Sequence, residues 1–453
     1  MWFKTAKEWG LTPVDGAPLV ALRLVFAGLI LFSTLRFIGS GWVEAQVVEP
    51  LVAFPFDWFS WLPRPGLWAA YGLFGAMLVG AILMLVNRPR LGALIFVLPF
   101  TYVEMLDKTN YLNHYYFVSL MAGLFVFLPS RNQDAAGVPR YARDLPKVLL
   151  TLVYFYAGLA KLNSDWVLDA LPLGIWLPQH SNLPLVGPAL AWPITAYAFS
   201  WGGLIFDLFA GFALWSERGR IWVYPVVVVF HLVTWLLFPI GVFPWVMIGC
   251  TLVFFGASFH RNWIQRWTRV ELSEYSPEPF KSGSMRWGLI MSACFLAIQL
   301  IVPWRFLAYP GELFWHEAGY RFSWRVMLME KAGVAYFFAQ NGEGREREVD
   351  LNGWFTPNQS KMMSTQPDMI LQCARWIKQH DVEMGLDTRA VRAEVWVGLN
   401  GRRSQLFIDP FVDLTQIEDD MGEARDWVLP LDSVVTMSEF RARKNEWRAR
   451  SAW

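Results

Sequence analysis

Among the long apolar stretches of this 453-residue chain stand a few side chains that could move protons. Lys161 closes the run 148–162, flanked by Ala160 and Leu162, while Asn113 and His114 open a second run and His231 sits inside a third. An ammonium desolvated among apolar groups gives up its proton more readily, which is how a buried lysine becomes a general base. Lys161 is therefore the candidate base, weighed against the plainer alternative of a lysine whose head reaches back to the membrane surface. Lys108 is the poorer candidate, because it follows Asp107 in the polar turn 107–110, where water and a carboxylate are at hand to solvate its charge. Each histidine alone is more simply a hydrogen-bonded structural group, but His114, His231 and Lys161 at one depth point to a site. Asp207 is expected nearer the inner end of its run as a structural hydrogen-bond acceptor, and Glu104 could serve either way.

The elements that must position these residues are membrane spans. Apolar residues make up 55% of the chain, against 17% charged, well under the roughly 25% of soluble domains. The 26 tryptophans and 35 phenylalanines are a surplus suited to rings lying at two membrane interfaces. Charge is uneven: the last 144 residues carry about 28% charged side chains and the first 309 about 12%. Runs near 20 residues place spans at 17–38, 66–86, 91–106, 113–129, 147–163, 189–216, 219–239, 240–258 and 287–309, the first of them uncleaved. Lysine and arginine favour the cytoplasmic side of short loops. Lys4 and Lys7, Arg88 and Arg90, Arg131, Arg140 and Arg143, Arg218 and Arg220, and Arg261 to Arg286 fall in alternate connections, with little beyond Arg64 and Lys108 in the others. Nine spans satisfy that alternation, with the N-terminus inside and the C-terminus outside.

The expected architecture is a mainly α membrane protein: residues 1–309 form a nine-span bundle and 310–453 a small α+β cap on the outer face. In the cap, 335–340 and 393–399 read as strands, with Asn341-Gly and Asn400-Gly as hairpin turns and a helical spacing over 366–379. Residues 47–62, rich in aromatics, read as an interfacial segment. A net charge of +1 gives no reason to expect nucleic acid, and no phosphate-binding Gly loop, HExxH pair, GxSxG elbow or twinned CxxC is present, so no metal site is expected.

Six segments, in order and spacing, resemble the vitamin K-dependent gamma-glutamyl carboxylases and their bacterial relatives, the horizontally transferred transmembrane domain proteins. They are LDKTNYLNHYY (106–116), VYFYAGLAKLNSDW (153–166), FDLFAGF (206–212), FHLVTWLLFPIGVFPWVM (230–247), GYRFSWRVM (319–327) and WVGLNGRRSQLFIDP (396–410). The resemblance implies a lysine base, here Lys161, that deprotonates reduced vitamin K or a menaquinol-type hydroquinone. Reaction with dioxygen then yields a strong alkoxide, which removes a γ-proton from a peptide glutamate so that carbon dioxide can add. It assigns Asn113 and His114 to the quinone oxygen, His231, Thr234, Phe243 and Met327 to the quinone pocket, and Tyr320, Ser323, Trp324 and Arg402 to the peptide glutamate. Partners would be membrane lipid, the quinone and an outer-face peptide, and the location a bacterial inner membrane with the cap in the periplasm. The resemblance departs at Ala160, where animal enzymes carry a second lysine, so the expected activity is quinol epoxidation, with coupled carboxylation open. The rival reading is a non-catalytic quinone- or lipid-binding scaffold of the same fold.

Overall fold

All nine stretches selected by hydropathy are helical. The computed structural model describes residues 8–277, 282–418 and 425–431, so Lys4, Lys7 and Lys281 of the orientation argument lie outside the described residues. Five helices come first: α1 (Ala17–Gly39), α2 (Leu67–Leu85), α3 (Pro89–Leu106), α4 (Asn113–Phe127) and α5 (Arg140–Ala160). The short α6 (Ser164–Asp169) precedes α7 (Pro193–Ala213), α8 (Glu217–Leu237), α9 (Phe243–Thr251), α10 (Ala257–Trp267) and α11 (Ser282–Ile301). Among the described residues, six helices are long and apolar enough to cross a membrane: α1, α2, α3, α7, α8 and the stretch Trp287–Ala308. The other three fall short for separate reasons. Helix α4 has only 15 residues, α5 opens with Arg140, Arg143, Asp144 and Lys147, and α9 has 9 residues.

Local chemistry sets the ends of the helices that matter here. Prolines occupy the first turns of α1, α3 and α7, where a missing N–H costs nothing. Helix α5 stops at Lys161, and Asn163 then caps α6 by accepting a hydrogen bond from the Trp166 amide at 3.0 Å. Helices α5 and α7 meet almost backbone to backbone. A Cβ at Gly158 would stand 2.6 Å from the Leu208 nitrogen, and one at Gly211 would stand 2.9 Å from Thr151 Cα. Small residues at such crossings are how membrane helices approach closely without apolar collapse to drive them.

The cap is a four-stranded antiparallel sheet with helices on it. Its strands β1 (Lys331–Asn341), β2 (Glu346–Glu348), β3 (Thr388–Leu399) and β4 (Gln405–Leu406) lie in the order β2-β1-β3-β4. Lys331 stands opposite Leu399 and Asn341 opposite Thr388, so β1 and β3 pair along their whole length. Asn341-Gly342 turns β1 into β2, and Asn400-Gly401, both residues left-handed, turns β3 into β4. Helix α12 (Pro357–Met363) leads to α13 (Pro367–Glu383), which buries Met369, Ile370, Cys373 and Ile377 with the inward β3 side chains Val391, Ala393, Val395 and Val397. Segment 47–62 divides: Trp58 and Trp61 are exposed, whereas Phe54 is fully buried against Phe355 of the cap.

Candidate active site

Lys161 directs its ammonium back along α5, as side chains at a helix end do, and its Nζ lies 3.2 Å from the Ala157 carbonyl oxygen. There it meets Asp207 of α7, with Nζ 2.7 Å from Oδ2, and both residues are about 95% buried. The close crossing at Gly158 makes this possible, since the missing Cβ faces the Asp207–Leu208 peptide. The sequence expectation for Asp207 is corrected here. Helix α7 begins beyond the end of α5, its first turns packing on the short helices after Lys161, so its fifteenth residue is level with that lysine. A buried ion pair in a membrane bundle is expensive and seldom adds stability.

The pair opens into a cavity of about 130 Å³. His114, Lys161, His231, Thr234, Phe243 and Met327 all line it, so six residues assigned from separate segments come together. Tyr154 and Trp166, which sequence reasoning missed, also face it. Tyr154 Oη is 2.9 Å from His231 Nε2, and Trp166 lies with its ring 5.2 Å from Lys161 Nζ while its indole N–H donates to the Ser200 carbonyl. Phe230, in the cavity wall, stacks at 4.3 Å on Phe206 behind it. The ring of His114 makes no hydrogen bond among the described residues and leans on Phe243 at 5.0 Å. These two residues, with Ile240, also line a wider cavity of about 340 Å³ beside α1.

The remaining predicted residues are close by but face elsewhere. Asn113 does not line the cavity: its amide donates to the Arg325 carbonyl at 2.6 Å and accepts from Tyr111, whose hydroxyl in turn accepts the Phe322 amide at 2.7 Å. That clamp holds residues 317–327, in which Glu317, Phe322, Trp324 and Met327 all have positive φ. Such backbone is strained for residues with a Cβ and is retained chiefly at functional loops. Trp324 is buried in the bundle core and stacks on Tyr116 at 5.1 Å, Ser323 donates to the Tyr320 carbonyl, and Tyr320 packs on Phe314 in the cap core. Arg402 reaches the seam between cap and bundle, both guanidinium nitrogens 2.8 Å from Asp165, which Asn400 also touches at 2.7 Å. Arg402 and Asn400 hold the Asp165 carboxyl below the usual carboxylate range against the opposing effect of burial.

Lys108 also departs from expectation. It is buried, and its partner is Asp368 of α13 at 2.9 Å rather than the adjacent Asp107. Arg321 reaches the same carboxylate at 2.7 Å. Burial alone would raise the Asp368 carboxyl, but Arg321 and Lys108, with Arg425, outweigh it and hold it well below the carboxylate range. Asp107 instead accepts from Thr109 and from Gln359 of α12. Lys108 thus fastens cap to bundle and does not face the cavity beside Lys161. Among the described residues, no group of three or more His, Cys, Asp or Glu could hold a metal ion.

Two family models match the chain. One, described as HTTM domain, matches residues 11–263, more than half of the sequence. The other, described as vitamin K-dependent gamma-carboxylase, lumenal domain, matches residues 284–434 and so takes in α11 together with the cap. No solved structure matches the chain.

Proposed function

The chain belongs to the vitamin K-dependent gamma-carboxylase family, and on that premise we propose that it is an integral-membrane quinol epoxidase. Reduced vitamin K or a menaquinol-type hydroquinone, dioxygen and carbon dioxide are the co-substrates the family implies. The observation that carries the reading is the Lys161–Asp207 pair in one apolar cavity with His114 and His231. The lining suits a flat ring: Trp166, Phe199, Phe230 and Phe243 supply faces, and the polar atoms are few. A prenyl tail would extend past Phe243 toward the wider cavity on the far side of His114.

In this reading the quinol supplies the reducing equivalents, and the protein supplies proton control in a dry site. Lys161 Nζ, neutral once its own proton has passed to Asp207 Oδ2, accepts the proton of a quinol hydroxyl, and the resulting ammonium stands beside the quinolate anion. His114, with free ring nitrogens, bonds the quinol oxygen. His231, held by Tyr154, fixes the opposite side. Exclusion of water protects a strongly basic oxygen once it forms. Asn113 is a positioning residue, tying His114 to the loop 317–327 through the Arg325 carbonyl. We place nine spans in the membrane, N-terminus inside, with the cap on the outer face, in a bacterial inner membrane with a periplasmic cap.

The test is chemical. Purified full-length protein is incubated with reduced vitamin K and dioxygen, and the epoxide is sought by chromatography. Epoxide is expected, and its formation should be lost in His114→Ala. Binding of the quinol with no turnover would favour the scaffold reading instead. Labelled carbon dioxide offered with a glutamate peptide separates epoxidation alone from coupled carboxylation.

A further inference from the structure

Glu104, near the C-terminal end of α3, has no place in the site built above, yet it is 3% exposed. Its Oε2 accepts from the Ser119 hydroxyl at 2.5 Å, and that hydroxyl accepts from Thr101 at 3.2 Å. Its Oε1 has no hydrogen-bond partner, and the carboxyl makes no ion pair among the described residues. An ionised carboxylate held by a single hydroxyl in an apolar bundle is costly, so Glu104 rests as the neutral acid with one oxygen unused.

Glu104 lines a small cavity of about 20 Å³ together with Asn110 and Tyr115, in a wall otherwise made of Phe37, Trp42 and Phe100. That is room for one water, which is held where several polar groups surround it. The Tyr115 hydroxyl makes no hydrogen bond among the described residues. Tyr115 also lines the cavity of about 340 Å³ beside α1, and so does His114, whose ring stands edge-on to it with centroids 4.6 Å apart. His114 in turn lines the Lys161 cavity. Three cavities thus follow one another, with Tyr115 between the first two and His114 between the last two.

The reaction proposed above calls for such a group, and the inference rests on that reading. A quinol and dioxygen give a quinone epoxide and water. Two quinol O–H bonds break, the quinol supplies the electrons, and two O–H bonds form on the oxygen atom that leaves. The Lys161–Asp207 pair takes up one of the two protons. We propose that Glu104 serves the other, as a carboxylic acid that gives its proton to the departing oxygen through Tyr115 and His114 and regains one from the quinol. A single water in the small cavity links the Glu104 carboxyl to the Tyr115 hydroxyl. The bundle carries no added charge once the cycle closes, and a proton delivered from within spares the site an opening to bulk water.

Dicyclohexylcarbodiimide, an apolar reagent that adds to protonated carboxyls, tests the acid state on the full-length protein in detergent with no quinol present. Peptide mass mapping should find Glu104 labelled, and an unlabelled Glu104 overturns the proposal whatever the protein does with quinol. Epoxide formation should fall by about a hundredfold in Glu104→Gln, which can still accept from Ser119, and about as far in Tyr115→Phe, with Tm near wild type in both. Glu104→Asp, still an acid, should retain part of the rate. The ratio of rates in light and heavy water should rise in Glu104→Gln as proton delivery becomes limiting, a change that a merely structural role would not produce. A wild-type rate in Glu104→Gln overturns the relay alone. A wild-type protein that labels at Glu104 but makes no epoxide overturns the epoxidase reading and the relay with it.

Discussion

Lys161 stands out in the sequence because an ionisable residue in an apolar run is costly and therefore visible. Its partner does not. Asp207 is equally anomalous in type, but its depth was judged from the start of its own run, and nothing in that run tells how far α7 begins beyond the end of α5. Asp207→Asn should leave the Lys161 cation buried without a counter-ion, costing roughly 3–5 kcal/mol. A lowered Tm in detergent and loss of epoxide formation at neutral pH are the expected results. A second prediction concerns Asp368. Because its carboxyl is depressed in the folded protein, the stability it contributes is complete above the unfolded value near pH 4 and is lost as pH falls through the lower folded value. Thermal unfolding between about pH 5 and pH 3 should therefore fall more steeply in the wild-type protein than in Asp368→Asn.

At the scale of elements, the close crossing of α5 and α7 creates the site. Both AG pairs responsible, Ala157-Gly158 and Ala210-Gly211, stand in the segments 153–166 and 206–212, although their spacing alone does not say that they face one another. Gly158→Ala would drive a methyl group against the Leu208 nitrogen. The helices must then part, at a cost of about 1–3 kcal/mol, and the Lys161–Asp207 pair should open. Epoxide formation should drop in this variant, while Gly75→Ala on α2, where a Cβ meets nothing within 4 Å, should leave both Tm and activity near wild type. Strands and hairpins of the cap were legible from period and Asn-Gly turns. The strained loop 317–327 was not, because positive φ at Phe322, Trp324 and Met327 is imposed by contacts with the bundle and not by residue type.

At the scale of the whole molecule, hydropathy located nine helical stretches before the cap, of which, among the described residues, six meet the length and apolarity of a span and three do not. Helix α5 carries its charges in its first turns, and α4 and α9 are short, so composition alone undercounts helices that neighbouring helices shelter. The proposed orientation can be read by single-cysteine labelling in a Cys294→Ser background. Cysteine at Glu343, in the exposed β1–β2 turn, should react with an impermeant reagent added outside intact cells, and cysteine at Arg88, between α2 and α3, should not. The reverse pattern would invert the topology. The seam between cap and bundle joins Lys108 to Asp368 on one side and Asp165 to Asn400 and Arg402 on another, and could not be foreseen, because these partners lie more than 200 residues apart in the chain.

The proton-transfer role of Lys161 is tested most directly by the rate of epoxide formation in Lys161→Arg. Arginine keeps the positive charge beside Asp207 but does not give up its proton in proteins, so the ion pair can persist while the base is gone. Loss of a general base predicts a fall of about a hundredfold to ten-thousandfold with the protein still folded. A rate within a few-fold of wild type would contradict the assignment of Lys161 as the base.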